Sequence, residues 1–436
     1  MIENRIGLRD TRSLKMSHKH FPSLANTKTT KDLSSQPIVV VCLPPAMQVS
    51  PYQSHWLLHP NVYVAPKVNE PILIDGNLEK DQWSSVPWSS PFDDIRGEDD
   101  APSSSRPSPE CRTRVKMLWD QDFLYIGAMI ESNMEVRATF HQRNSPIYHE
   151  DSDFEVFVDP DSSCHFYKEL EMNPINTVWN LMLDKPYIDG GQEHSGRIAK
   201  PGDDNYYDVN RQKTAVRVVE GSLNEAGGKR TVWTVEIALS HSDTLKHFLS
   251  RGIQNSKPTE GDRWRINFSR VEEKGMINWT WQRQRVWDPL RRSYLGKVDM
   301  HMPDAWGYVK FGPSVEDAKK ANVWIGEIPS EQISEGKSDA VDPNWPLLLV
   351  AMNVYYAQRA FFDLHGNFAN VLEELKAYVD EKILEPFLGE ISLSTQNTSY
   401  FVEVKESSGG VVTVDNNRLT TITLKLDGQD YQKAYK

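Results

Sequence analysis

Two short segments concentrate polar side chains beside aromatics. Side chains alternate across an extended chain, so in DFEVFVDP Phe154, Val156 and Val158 take one face and Asp153, Glu155, Phe157 and Asp159 the other. In FYKELEMN, Tyr167, Glu169, Glu171 and Asn173 share a face. A face carrying Glu155, Glu171 and Asn173 is an acidic, hydrogen-bonding patch that suits sugar hydroxyls. The same pattern also suits a solvated sheet face paired with Arg or Lys. Paired carboxylates are the equipment of glycoside hydrolysis too, at separations of roughly 5–5.5 or 6.5–9.5 Å. Glu155 and Glu171 qualify for that only if their strands are neighbours. The run HEDSDFEVFVDPDSS is oxygen-rich enough for a structural Ca²⁺, although it lacks EF-hand spacing and turn-capping aspartates give the same composition.

Aromatic usage is the second signal. Ten of the thirteen tryptophans fall between Trp83 and Trp306, among them Trp179, Trp279 and Trp281. A flat indole either fills a core or stacks on a sugar ring. NWTWQRQRVWDP favours the second role, because its aromatic residues alternate with Arg and Gln. Arg270, in the apolar run RWRINFSRV, is placed to add a charge-assisted hydrogen bond to a ligand held by Glu155 and Glu171. The histidines are scattered without metal-ligand spacing. Met300-His301-Met302 contains the residue types that ligate haem. GxxxxGK[ST], GxGxxG after a strand, HExxH and GxSxG do not occur, so phosphoryl transfer, dinucleotide redox chemistry, zinc proteolysis and α/β-hydrolase chemistry lose their usual signatures. No catalytic residue and no metal ligand is assigned from motifs.

The elements that must position these residues follow from length and patterning. The chain has 436 residues, enough for two or three domains at roughly 150 residues each. Its net charge of −12 speaks against a nucleic-acid groove as a partner surface. Cys42, Cys111 and Cys164 make an odd set with no CxxC pair, which speaks against a disulfide framework or thiolate zinc site. No apolar run reaches about 18 residues, so no membrane span is expected.

Residues 1–60 form a tail. Positions 1–32 hold seven Lys or Arg against three acids, and positions 33–60 hold no charged Lys, Arg, Asp or Glu. That segment reads as a disordered tail or, from its basic Ser/Thr-containing start, as an organellar transit peptide. From residue 61 to 313, short alternating apolar runs separated by turns give an antiparallel β-sandwich, jelly-roll-like in character. They include Ile72–Asp75, Val115–Trp119 and Phe123–Ile130, the last two joined as a hairpin through Asp-Gln-Asp. The long polar loops Asp93–Pro109 and Asp184–Asn210 interrupt the pattern. Residues 314–341 read as a linker. Residues 342–432 read as a small α+β domain: a helix over 345–365 capped by Asp342-Pro343 and closed by Gly366, a second helix over Asn370–Leu384, then four short strands with a turn at 407–410. The fold class is therefore mainly β, a sandwich followed by helices on an antiparallel sheet.

ILIDGNLEKDQW, VKMLWDQDFLYIGAMI and HEDSDFEVFVDPD, followed by YKELEMNPINTVWNLMLDKPYIDGG, RWRINFSRVE, NWTWQ and MHMPDAWGYVKF, resemble carbohydrate-binding module family 9 and related DOMON-like sandwiches over residues 68–312. The resemblance implies two antiparallel sheets with a sugar held on a concave face between two tryptophans. It maps the family's binding glutamate onto Glu155, puts Lys168 where an arginine is usual and Ser269 near a glutamine, and sets the clamp positions near Tyr148 or His149 and near Met300. It implies a non-catalytic module binding a mono- or oligosaccharide, acting outside the cell in carbohydrate catabolism. A hydrolase of O-glycosyl compounds and a haem-binding DOMON-type electron-transfer domain are the alternatives. The C-terminal unit resembles the helix-plus-sheet layout of pilin-like segments, which implies an accessory domain able to take a protein partner.

Overall fold

The structure, a computed structural model, describes residues 52–246, 257–336, 338–396, 398–406, 409–426 and 429–433. The basic part of the expected tail and half of the turn at 407–410 lie outside the described residues. In chain order the first strands are β1 (Val62–Lys67), β2 (Asp93–Asp94), β3 (Thr113–Trp119), β4 (Phe123–Ser132), β5 (Asp153–Asp159), β6 (Tyr167–Met172), β7 (Val178–Leu183) and β8 (Glu193–Ser195). They continue with β9 (Lys213–Glu220), β10 (Thr231–Ser240), β11 (Arg263–Glu272), β12 (Ile277–Thr280), β13 (Arg285–Asp288), β14 (Ser293–Gly296), β15 (Gly307–Ser314) and β16 (Gly326–Glu327).

One hydrogen-bonded path runs β8-β7-β6-β5-β11-β15-β1-β3-β4-β10-β9. Met117, Ile126 and Val235 from β3, β4 and β10 share a single apolar core with Val156, Leu170 and Phe268 from β5, β6 and β11. The path therefore closes on itself as a two-layer sandwich. The expected hairpin is present: β3 and β4 pair through Trp119 and Leu124, and Asp120 Oδ1 accepts from the amides of Asp122 (2.7 Å) and Phe123 (2.8 Å). Ile72–Asp75 differs from expectation and forms no ladder. Its backbone is satisfied instead by a buried side chain, since Glu236 Oε2 accepts from the amides of Asp75 (2.8 Å) and Gly76 (2.9 Å).

The outer faces are covered as well. Val62, Val64 and Tyr308 of β1 and β15 pack against the long helix Trp345–His365 through Trp345, Leu348 and Tyr355. The other side of that helix meets a second, five-stranded antiparallel sheet: β17 (Ile391–Gln396), β18 (Ser399–Lys405), β19 (Val411–Asp415), β20 (Thr420–Leu426) and β21 (Gln429–Lys433). The fold is a β-sandwich followed by a small α+β element. No helix among the described residues is long and apolar enough to cross a membrane.

Four boundaries differ from the sequence reading. Residues 53–60 are not tail: Gln53–Trp56 is helical and buries His55 and Trp56. Residues 314–341 carry the helices Val315–Ala321 and Ser330–Ser334, pair β16 with β1, and bury Ile328 and Ile333 in the helix-lined core. The long helix takes Asn344 at its N-cap and Pro346 in its first turn, while Asp342 accepts from Tyr308 Oη at 2.9 Å. The expected helix over Asn370–Leu384 is broken into a 3₁₀ turn, Leu372–Leu375, and a short helix, Glu381–Leu384. The break lies at Asp380: its amide donates to Asn353 Oδ1 (2.9 Å) and its side chain caps the amide of Lys382 (3.1 Å), so a new helix begins there.

Arg418, in the turn between β19 and β20, is fully buried and ties the second sheet to the sandwich. It pairs with Asp189 at 3.0 Å and Asp304 at 2.8 Å, and donates to Tyr355 Oη at 3.3 Å. Replacing it by methionine leaves the buried side chain of Asp304 without its cation and Asp189 with Arg359 alone. Arg418→Met is expected to lower stability by about 3–5 kcal/mol, read from urea unfolding; a loss under 1 kcal/mol contradicts this role.

His59 uses both ring nitrogens in its neutral form, one against the Pro60 carbonyl (2.7 Å) and Nε2 as acceptor from the Asp342 amide (3.0 Å). Burial pushes its pKa down to about 4. The unfolded chain, with His near 6.5, therefore binds the proton first. The stability is complete above pH 6.5 and lost as pH falls toward 4, by on the order of 3 kcal/mol from this group. Urea midpoints at pH 7 and 4.5 are expected to differ more for the native chain than for His59→Gln.

Candidate functional site

The site is fixed by the β5–β6–β7 ladder. Its register sets Glu155 opposite Glu171, Phe157 opposite Glu169, and Glu171 opposite Trp179. Directly opposed residues share a face, so Asp153, Glu155, Glu169, Glu171 and Trp179 all stand on the face turned away from the sandwich core. The face is not solvated. Asp153 is 0% exposed, Glu155 5%, Glu169 6% and Glu171 1%. Phe157, Tyr167, Leu181 and Leu183 on the same face are roofed by Ile95, Ile147, Met300 and Trp306.

One carboxylate oxygen from each of Asp153, Glu155 and Glu171 lies within 4.8 Å of the other two. Asp153 Oδ1 accepts from the Met172 amide at 2.9 Å, but Asp153 Oδ2, Glu169 Oε2 and Glu171 Oε2 meet no donor. Removal from water disfavours the charged form, and neighbouring like charges add to this. Burial first, then the charge of Glu155, holds Asp153 well above the usual carboxylate range, and Glu169 likewise. Burial and then Asp153 do the same to Glu171, and burial pushes Glu155 up to about 7. Nearby His301 supplies no counter-charge. Its Nε2 is 4.0 Å from Glu169 Oε2 and its Nδ1 is bonded to Tyr167 Oη at 3.0 Å, but burial pushes it down to about 4.

Loops frame the rim. Tyr148 stands on the 3₁₀ turn Ile147–His149, and its phenol is pushed up by burial and then by Glu171, Glu169 and Glu155. Tyr187 stands on the turn Tyr187–Asp189, 46% exposed and edge-on to His301 at 4.6 Å. Burial, then Glu169 and Glu193, raise it as well. Arg197 lies over the Trp179 ring at 4.8 Å and is paired with Glu193.

The structure thus brings together Glu155, Glu171, Trp179 and Tyr148 and places the other four candidates elsewhere. Asn173 organises a turn: its Oδ1 accepts from Thr177 N (2.8 Å) and its Nδ2 donates to Phe140 O (2.9 Å) and Asp151 (2.8 Å). Arg270 lies on the opposite face of β11, in register with Phe154. It is fully buried there, ion-paired to Glu272 at 2.8 Å and bonded to the Glu131 carbonyl at 2.8 Å. Trp279 packs over Arg270 and donates to the Ser105 carbonyl at 2.7 Å. Trp281 lines a separate cavity of about 1050 Å³ between the sandwich and the long helix, with Arg283, Trp287, Tyr294 and Asn353. Met300 and Met302 join two different apolar clusters. Tyr187 and Arg197 are not legible as site residues in the sequence, and His301 stands out there only as a haem-ligand type in Met300-His301-Met302. The only signal was that Tyr187 and Arg197 sit in the long polar loop 184–210.

The unpartnered Trp179 Nε1 sets a contrast with Trp306, whose Nε1 donates to the Met300 carbonyl at 2.8 Å. Both indoles are buried, so replacement by phenylalanine removes similar area. Trp306→Phe is expected to cost about 1–2 kcal/mol more than Trp179→Phe, the worth of one buried hydrogen bond. Equal urea midpoints for the two variants would contradict this.

Residues 74–180 match the model of the family described as carbohydrate family 9 binding domain-like. Among solved structures, the chain is similar to a Bacteroides uniformis ATCC 8492 protein assigned to carbohydrate binding, with 15% identity, 58% of this chain and 99% of that one covered, and a TM-score of 0.41. It is also similar to a family 9 carbohydrate-binding module of Caldicellulosiruptor kristjanssonii. The cellotriose complex of that module shows 15% identity, coverage of 58% and 96%, and a TM-score of 0.32. Its glucose complex shows 15% identity, coverage of 58% and 95%, and a TM-score of 0.31. No curated protein matches the chain. Tyr148, Glu155, Glu169, Glu171 and Trp179 all fall inside the matched span.

Proposed function

We propose that the sandwich binds a mono- or oligosaccharide at the rim of the β5–β6–β7 face. The observation that supports this most is that the residues matched to the binding-domain family include Tyr148 and the carboxylates beneath it. Tyr187 offers a half-exposed ring of the kind that stacks on the C–H face of a sugar. Glu155 and Glu171, whose protonated form burial favours, offer a donor as well as acceptors to hydroxyl groups. A role in carbohydrate catabolism outside the cell belongs to the same reading.

The glycosidase alternative gains no support from this geometry. Its two carboxylates must flank the scissile bond, one on each side of the sugar. Glu155 and Glu171 are direct cross-strand neighbours on one face, so both lie on the same side of anything bound there.

A glycan array probed with the full chain, followed by titration calorimetry on any hit, tests the proposal. Tyr187→Ala is expected to weaken binding at least tenfold, about 1.4 kcal/mol, with the melting temperature little changed. Arg283→Ala, on the separate cavity, is expected to bind as the native chain does. The opposite pattern places the sugar in that cavity and overturns the assignment.

A further inference from the structure

We propose that Asp153, Glu155 and Glu171 form a divalent-cation site suited to Ca²⁺. The site shares Glu155 and Glu171 with the sugar reading and is tested apart from it, with no sugar present. The proposal rests first on spacing. Ca²⁺ takes oxygen ligands at about 2.3–2.6 Å, so ligands on opposite sides of the ion stand up to about 5 Å apart; Mg²⁺ at about 2.0–2.1 Å holds them closer, near 4 Å. Three oxygens within 4.8 Å of one another can share one ion of this kind, and an all-carboxylate set held by rigid strands suits Ca²⁺, since Mg²⁺ demands near-ideal octahedral geometry and keeps several waters.

The second support is what the site lacks. Asp153 Oδ2 and Glu171 Oε2 are buried without a donor, and Glu169, outside the trio, brings a further buried oxygen, Oε2, with none. A buried carboxylate is ordinarily satisfied by donors or by a cation. The basic group over this face, Arg197, is turned onto Trp179 and Glu193.

The third support is a contrast within the same segment. Asp151, two residues before Asp153, is a capping aspartate. Its Oδ1 accepts from the Thr139 amide (2.8 Å) and hydroxyl (2.7 Å), and its Oδ2 accepts from the Phe140 amide (3.0 Å) and Asn173 Nδ2 (2.8 Å). Turn capping therefore satisfies both oxygens of Asp151 and leaves Asp153 Oδ2 and Glu171 Oε2 without a donor.

The test uses the full chain, stripped with EDTA and dialysed, with no sugar present. CaCl₂ is expected to give saturable heat at one site and to raise the melting temperature by a few degrees. MgCl₂ is expected to bind at least tenfold more weakly. Tb³⁺ is expected to luminesce on excitation of the nearby indole of Trp179. Asp153→Asn combined with Glu171→Gln is expected to abolish all three responses, yet to melt in EDTA no lower than the native chain, since two unpartnered carboxylates have gone. Glu171→Gln alone, if the double variant does not fold, is expected to weaken Ca²⁺ at least tenfold. Absence of heat and of a melting shift from the native chain overturns the proposal, as does a Ca²⁺ response that survives in the variants. A failed glycan array with a positive Ca²⁺ titration would reject the sugar reading alone.

Discussion

Arg418 is the constraint on which the geometry around the acidic face depends. Its guanidinium is fully buried, and a buried cation of this kind persists only when each side of it meets an acceptor. Asp189 and Asp304 supply those acceptors from two separate loops. Asp189 also pairs with Arg359 at 2.5 Å and accepts from Tyr355, both on the long helix. One charge network therefore anchors the turn that carries Tyr187 and the segment that carries His301. The second sheet positions the rim of the sandwich without contributing to its floor.

Enclosure of that floor changes its chemistry. Carboxylates on an open sheet would be hydrated and ordinary, whereas here the roof formed by Ile147, Met300 and Trp306 removes water and leaves like charges side by side. The ladder register cannot relieve the crowding, because Glu155 and Glu171 are direct partners and Asp153 is two residues away on the same face. The arrangement must be neutralised by protons, by a cation or by ligand donors. Its neighbours on the opposite face of β5, Phe154, Val156 and Val158, pay for no such compromise, since they lie in the continuous apolar core.

The two-residue period of DFEVFVDP and FYKELEMN made the shared face readable, because strand periodicity survives any tertiary arrangement. The same holds for the helix over 345–365, whose apolar positions and Gly366, with φ of 75°, match the structure. What periodicity cannot report is which face is covered. Arg270 illustrates this: alternation alone places it opposite Ser269, and only the register with Phe154 shows that it turns into the sandwich interior. Asp380 shows a second limit. The residues around it have helical patterning, but a side chain 27 positions away takes its amide and ends the continuity. The rim residues were hidden for a similar reason, since loops are positioned by distant partners such as Arg418.

The abundance of tryptophan, which suggests sugar stacking, has a different use in most of this molecule. Trp119 donates to the Gly312 carbonyl at 2.9 Å, Trp279 to Ser105 at 2.7 Å, Trp287 to Tyr378 at 2.7 Å and Trp345 to His55 at 2.8 Å. Each bond joins segments far apart in sequence, 290 residues in the last case. A buried indole whose N–H is held by a distant carbonyl fixes a loop or helix end while filling volume, which an aliphatic side chain cannot do. Such a tryptophan has no free donor for a ligand. At the acidic face the partly open aromatic rings are those of Tyr148 and Tyr187. The count of aromatic residues in the chain thus says little about its binding site, and their hydrogen-bond partners say much more.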